Sequence, residues 1–381
     1  MTETTPKSRL PRTGTLVLIA VVLLIGGGAL MVWLPYHRNQ TVIAEVKMLG
    51  GSIEWEIVRP AWIPDVVDDQ YLGVFERVYS VGLSNTQVSG TRLEQLRELA
   101  NLEDLYLNDT QVSDTELKRL RGLTNLGALS LENTQVSDAG LEHLRALTNL
   151  KILSLSNTQV SNAGLEHLRA LTNLKILSLS NTQVSNVGLR HLRVLTKLEI
   201  LWLDNTQISD SGLEHLRGLT KLRVLSLENT QVSDAGFEHL RGLPHLHQLY
   251  LENSQVSDAG LEQLGGLTNL DHLLLDSTQV SDVGLKHLRG LTHLGTLSLD
   301  NTQVSDSGLE HLRGLTKLRI LSLENTQVSD AGFEHLRGLP HLQGLYLYNT
   351  QVTNAGIKKL KVALPYCYIL DDSTSQIFWT R

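Results

Sequence analysis

The chain has one cysteine, Cys367, among 381 residues. A lone thiol excludes an internal disulfide and any cysteine-rich metal site. Aromatic residues make up 5% of the sequence against 41% hydrophobic residues, so leucine and not rings must carry the core. Cations are not in excess: the formal net charge is −7, which argues against a general affinity for nucleic acid. No glycine-rich loop suited to cradling phosphate occurs, since Gly50-Gly51 reads as a helix stop. Serine, histidine and aspartate are plentiful, yet each sits in a repeated slot. A catalytic triad needs one unlike constellation with an oriented base, so no catalytic residue and no cofactor are expected.

What is present is a period. Thr-Gln-Val-Ser begins at Thr86 and recurs every 24 residues, through Thr110, Thr134 and onward to Thr350, twelve times without insertion or deletion and with single exchanges at Ile208, Ser254 and Thr353. Such a repeat outranks every local signal. One unit, from Leu150, reads LKILSLSNTQVSNAGLEHLRALTN. Counting from that leucine, apolar residues fall at places 1, 4, 6, 11, 16, 19 and 22. Places 4 and 6 alternate with polar neighbours, as on a short strand with one buried face. Places 16, 19 and 22 recur every third residue, as on a one-sided helical turn. Ser161 and Asn162, at places 12 and 13, are N-cap residue types for that turn. One unit buries too little to order itself, so neighbours must share strand hydrogen bonds and core. Twelve strands about 4.8 Å apart make a curved parallel sheet roughly 50 Å long.

The pattern LxxLxLxxTxVSDxGLxxLxxLxx resembles the leucine-rich-repeat family over residues 78 to about 370. Within it, the D-x-G-L helix is similar to the subclass called cysteine-containing and common in F-box-associated chains. The departure is place 9, with Thr, or Ser at Ser254, where the family has Cys or Asn. A buried threonine hydroxyl there is expected to bond the backbone of the adjacent coil. The resemblance implies a right-handed α/β solenoid, with the sheet on its concave face and short helices on its convex face.

The chain divides as residues 1–14, a short polar N-terminal segment; 15–34, a transmembrane helix; 35–40, a linker; 41–77, an N-terminal cap; 78–365, the repeats; and 366–381, a C-terminal cap and tail. Residues 15–34 carry no charge, and at 1.5 Å per residue span about 30 Å, one hydrocarbon core. Lys7, Arg9 and Arg12 precede the span, so the N-terminus is expected in the cytoplasm and the repeats outside. The rival is a secretory signal cleaved near Ala29, which also places the repeats outside. In the N-terminal cap, Val42, Ile43, Val46 and Leu49 mark a helix and Ser52–Val58 a strand, with Trp55, Trp62 and Phe75 expected over the first coil. At the other end Ile369 falls on place 4 of a thirteenth strand, and Cys367 with Ile377, Phe378 and Trp379 is expected to close the array.

Place 18 carries a histidine in most units, from His143 to His335, and place 20 an arginine. These read as solvated rows on the helical side, not as metal ligands, because each coil offers one nitrogen. The looser group His245, His247, His272 and His293 also reads as surface.

The outward strand places vary where the core does not. Place 5 holds Tyr106, Trp202, Tyr250 and Tyr346, and place 7 holds Asp204, Glu228, Glu252 and Asp276 within a long acidic row. These eight are the candidate binding residues, since exposed aromatics in a polar sheet anchor protein interfaces. The expected function is a non-catalytic module recognising a protein or peptide ligand of basic character, presented outside the membrane that residues 15–34 anchor. The alternatives are a cytoplasmic substrate adaptor of a ubiquitin-ligase-like system, suggested by the F-box-like subclass alone, or a secreted binder.

Overall fold

The seven inward places are closed to solvent in every unit but the last, where Val352 is partly buried and Ala363 is exposed. In the unit from Leu150, the side chains of Leu150, Leu153, Leu155, Val160, Leu165, Leu168 and Leu171 are each 0% exposed. The computed structural model describes residues 36–372 except 38, 60, 62, 64–67, 69–71, 89 and 100, and one core runs through them from Val42 to Ile369. The expected span 15–34, Trp62 and the tail residues Ile377, Phe378 and Trp379 lie outside the described residues. Among the described residues no helix is long and apolar enough to cross a membrane.

The described strands form one fourteen-stranded sheet in sequence order. The first two are β1 (Ser52–Ile57) and β2 (Glu76–Gly82). From β3 (Asp104–Tyr106) to β13 (Gly344–Tyr346) a three-residue strand recurs once per unit, and β14 (Tyr368–Leu370) ends the stack. In this numbering β7 is Ile200–Trp202, β8 Val224–Ser226, β9 Gln248–Tyr250 and β10 His272–Leu274. From β2 onward the pairs are parallel, with places 3, 4 and 5 of each coil opposite the same places of the next, as in Ile200↔Val224↔Gln248. The expectation of a wholly parallel sheet needs one correction. β1 runs antiparallel to β2, with a register shift between Glu54 and Trp55.

The return from each strand begins at place 8, where Asn133, Asn157 and their equivalents adopt φ between 51° and 60°. Asn and Asp tolerate this left-handed conformation because their short polar side chains bond locally. The bend brings the place-9 hydroxyl back to its own coil. Thr158 Oγ1 donates to Leu155 O at 2.6 Å and Thr302 to Leu299 O at 2.5 Å, three residues earlier. The threonine row therefore bonds its own coil, contrary to the sequence expectation of a bond to the adjacent one.

Place 13 bonds between coils instead. Asp138 accepts from Ser161 N at 2.7 Å and from Ser161 Oγ at 2.5 Å, and Asp258 does the same for Ser281 at 2.7 and 2.6 Å. Ser at place 12 holds the N-cap position in backbone terms, as at Ser137 (φ −123°), but its hydroxyl serves the preceding carboxylate. The glycine of D-x-G-L follows from the same contact. A Cβ on Gly284 would stand 2.4 Å from Asp258 Oδ1. The helical segments mix α and 3-10 turns, such as Asp138–Leu141 followed by Glu142–Ala146. The every-third-residue spacing of places 16, 19 and 22 matches the 3-10 repeat of three residues per turn.

Both ends are capped. Residues 39–48 are helical and bury Val42, Ile43 and Val46. That helix stops where Gly50 takes φ 78° and Gly51 N donates to Val46 O at 2.9 Å. Trp55 is not part of the cover: it is 47% exposed, with Lys47 Nζ 5.8 Å from its ring, because the bulge at Glu54/Trp55 breaks the inward alternation. Phe75 is half-buried, and the helix, through Val42, Ile43 and Val46, does the covering. At the other end Ile369 pairs with Leu345 and is 2% exposed, as its place in the pattern requires.

Candidate functional site

Places 3, 5 and 7 project from the sheet away from the core. From β3 to β13 no lysine or arginine stands at any of them. Carboxylates stand at place 7 on six consecutive coils, Asp204, Glu228, Glu252, Asp276, Asp300 and Glu324. Neighbouring members are about one strand spacing apart, roughly 4.8 Å.

Strand register decides which of the eight candidates meet. Trp202 lies opposite Ser226 and Ser226 opposite Tyr250, so the two rings flank a small residue at about 10 Å, two strand spacings. Both rings are half-buried. Asp204, Glu228, Glu252 and Asp276 follow on the same four strands, β7 to β10. Tyr106 on β3 and Tyr346 on β13 share the face but stand four strands away from Trp202 and Tyr250 respectively, roughly 19 Å. The structure thus gathers six of the eight and leaves those two tyrosines apart.

The acidic row is unequal in its partners. Asp204 accepts from Ser180 Oγ at 2.8 Å and also from Ser226 Oγ. Asp276 accepts Asp300 N at 2.9 Å, while Asp300 accepts Glu324 N at 2.7 Å and Ser322 Oγ at 2.6 Å. Glu252 Oε2 is buried with no hydrogen-bond partner. Burial, joined by the charges of Asp276, Glu228 and Asp204, pushes its carboxyl up to about 7. Burial also raises Asp276 and Asp300 above the usual carboxylate range, against the pull of their serine and amide donors. Tyr250 donates to Gln248 Oε1 at 3.0 Å, and burial with the Glu252 and Asp204 charges holds its hydroxyl above its ordinary value. Carboxylates on this face are thus desolvated with no lysine or arginine at places 3, 5 and 7 beside them.

One row on this face escaped the sequence reading. Ile152, Ile176, Ile200 and Val224, at place 3 of four consecutive strands, project outward, and Ile152 is 40% exposed. The signal was present: place 3 is aliphatic there and polar in the coils that follow, Gln248, His272 and Thr296.

The histidine row is occupied. Arg121, Arg193, Arg217 and Arg289 each place a guanidinium nitrogen 2.6 Å from Nδ1 of the next coil's histidine, His143, His215, His239 and His311. Burial, and after it the arginine charge, lowers His143, His215 and His311 below the ordinary imidazole value. Among the described residues no group of three or more His, Cys, Asp or Glu could hold a metal ion. Burial drives the Cys367 thiol up to about 11, which leaves it unreactive.

A family model described as Leucine Rich repeats (2 copies) matches residues 172–218, and one described as Leucine Rich repeat matches 146–168. These are leucine-rich repeats. Among solved structures, an internalin from Listeria monocytogenes is similar at 25% identity and TM-score 0.60, over 77% of this chain and 86% of that one. A leucine-rich-repeat protein of Leptospira interrogans is similar at 20% identity and TM-score 0.52, over 76% and 82%. The mouse RP105/MD-1 complex is similar at 20% identity and TM-score 0.55, over 72% of this chain and 47% of that one. The last two show the fold alone. No curated protein matches the chain in sequence.

Proposed function

We propose that the leucine-rich-repeat solenoid is a non-catalytic recognition module whose strand face takes a basic segment of a partner protein. One observation carries this reading: from β3 to β13 that face holds six consecutive carboxylates and no lysine or arginine. Trp202 and Tyr250 supply apolar area at little cost in side-chain entropy, and the row from Ile152 to Val224 extends it. The arriving lysine or arginine would meet the desolvated Glu252 between Glu228 and Asp276. Residues 15–34 would hold the solenoid outside the membrane, or leave it secreted if cleaved near Ala29. We also assign the repeats to the cysteine-containing subclass, with Thr at the cysteine place, on the strength of the D-x-G-L contact between Asp258 and Gly284.

The test is a crosslinking capture of the partner, followed by affinity measurement on variants. Trp202→Ala with Tyr250→Ala should cost at least about 2 kcal/mol, roughly thirtyfold in Kd. Reversal of Asp204, Glu228 and Glu252 to lysine should slow association and abolish its salt dependence. A partner that binds both folded variants as tightly as wild type would place recognition elsewhere. Protease digestion of the repeats on intact cells tests the placement; full protection would refute it.

A further inference from the structure

The strands have a second end exposed to solvent. Place 7 lies where each strand leaves the sheet, whereas places 24 and 2 flank its entrance, some 17 Å away at about 3.3 Å per residue. That entrance edge is basic. An open groove of about 500 Å³ is lined there by Glu199, Lys221, Arg223, His245 and His247. A second groove of about 470 Å³, reaching Lys151, Lys175 and Lys197, lies along the same edge on the preceding coils.

These cations replace a structural residue. Where place 24 is asparagine, its amide stitches the coils: Asn149 donates to Thr124 O at 2.9 Å, Asn173 to Thr148 O at 2.9 Å and Asn269 to Pro244 O at 2.7 Å. Lys197, Lys221 and His245 occupy that place on three consecutive coils; Lys197 Nζ still bonds the preceding coil, at Asn173 Oδ1 (2.7 Å), but Lys221 and His245 do not make the bond to the preceding carbonyl. At Lys221 an inter-coil bond has been exchanged for charge, and the exchange recurs at Lys317, where Arg319 takes the place of Arg223. Glu199 is already taken, bonded to Lys175 Nζ at 2.8 Å. Lys221 and Arg223 are exposed and have no carboxylate within ion-pair distance among the described residues.

We infer that this entrance groove, centred on Lys221, Arg223 and His245 and flanked by Lys197 of the neighbouring groove, is a second binding site, and that its ligand is an acidic helix of a partner protein. Charge complementarity selects an anion. The groove's lining has no Phe, Tyr or Trp ring, its only rings being the imidazoles of His245 and His247, so it offers no large aromatic platform. The spacing selects a helix. Cations recur once per coil at about 4.8 Å, and an α-helix laid along the stack presents one carboxylate per turn at about 5.4 Å. The mismatch over three coils is near 1 Å, within the reach of lysine stems. An extended strand presents same-face side chains only every ~6.8 Å and falls out of step within two coils.

The experiment uses the full-length chain and a fluorescein-labelled helical peptide with one glutamate per turn, read by anisotropy. The wild-type chain should bind it with an affinity that falls as salt is raised, and should ignore the glutamine version of the peptide. Lys221→Glu with Arg223→Glu should weaken binding at least about tenfold. Lys221→Gln with Arg223→Gln should weaken it less, with both variants melting as wild type does. Trp202→Ala should leave peptide binding unchanged, which separates this site from the strand face. The inference is overturned if the peptide does not bind, if the reversed variant binds it equally, if Trp202→Ala weakens it as much, or if heparin binds where the peptide does not.

Discussion

Two mostly acidic rows run along this solenoid, place 13 with asparagine at Asn162, Asn186 and Asn354 and place 7 acidic on the six coils from Asp204 to Glu324, and their members Asp282 and Glu252 behave in opposite ways. At place 13 the Asp282 carboxylate takes donors from the next coil: Ser305 N at 2.7 Å, Ser305 Oγ at 2.5 Å and Ser307 Oγ. Burial raises its carboxyl, but those bonds outweigh burial and hold it below the ordinary value. At place 7 Glu252 has burial and like-charged neighbours, and its Oε2 has no donor, so its carboxyl rises to about 7. Residue class and repeat spacing are alike. The donors supplied by the next coil make the difference between Asp282 and Glu252, although Asp276 and Asp300, also at place 7, take next-coil amides.

The largest effect should come from breaking the joined row. Asp258→Ala removes acceptors from Ser281 N and Ser281 Oγ. Charge-assisted bonds lost from a partly buried amide should cost about 2–4 kcal/mol, read from the denaturation midpoint. Asp258→Asn should cost under about 1 kcal/mol. The chain contains that variant already: Asn162 Oδ1 accepts Ser185 N at 2.8 Å while its Nδ2 donates to Ser185 Oγ at 2.8 Å. Equal losses for the two variants would mean that the carboxylate charge, not the bonding geometry, joins the coils.

The open row should show the contrary sign. Glu252 is raised in the fold from 4.5 to about 7, so the folded chain binds its proton more tightly than the unfolded chain. Its stabilising contribution is full below pH 4.5 and is lost as pH rises through about 7. Asp282 is lowered, so its contribution is present above 3.8 and is lost as pH falls through its folded value. Stability should therefore peak in mildly acid solution. Glu252→Gln should flatten the alkaline limb, gaining roughly 1–2 kcal/mol at pH 8 once solvent screening is allowed for, and little at pH 4.5. Melting curves across pH check this; an alkaline limb that survives in the variant would assign it to other groups.

How much of this was readable follows from what each feature depends on. The seven core places are a matter of period, and Leu150 to Leu171 all proved fully buried. The candidate cluster was half-readable: the side on which Trp202 and Asp204 lie follows from strand alternation, but the separation of Tyr106 and Tyr346 needed strand counting. The wiring of the polar rows was not readable. Whether Thr158 bonds its own coil or the next depends on the left-handed turn at Asn157, and no pattern of residue types states which carbonyl a hydroxyl will face. The bulge that turns Trp55 outward is likewise a register event without a sequence mark.

The threonine row sharpens the comparison further down the scale. Thr302→Val keeps the shape and deletes one donor to Leu299 O, a bond within a single coil. It should cost about 1 kcal/mol. It should also add to Asp258→Ala without coupling, because the two sites share no partner. A double-mutant cycle with a clear interaction energy would show that the threonine row also bridges coils.

The smallest effect belongs to the most conspicuous row in the sequence, the arginines and histidines of the helical side. Arg289 places a nitrogen 2.6 Å from His311 Nδ1 and 3.8 Å from Glu310, yet the arginine and glutamate side chains are 55% and 58% exposed. Pairs this open are screened by water and held at the cost of side-chain freedom. Arg289→Ala should therefore change stability by no more than about 0.5 kcal/mol. Its signature is elsewhere. His311 is lowered first by burial and then by the Arg289 charge, so removing that charge should move its titration up toward the ordinary imidazole value, though not fully, because burial remains. Imidazole proton shifts followed against pH would show it. A large loss of stability with an unmoved His311 would mean that this row, and not the aspartate–serine row, joins the coils.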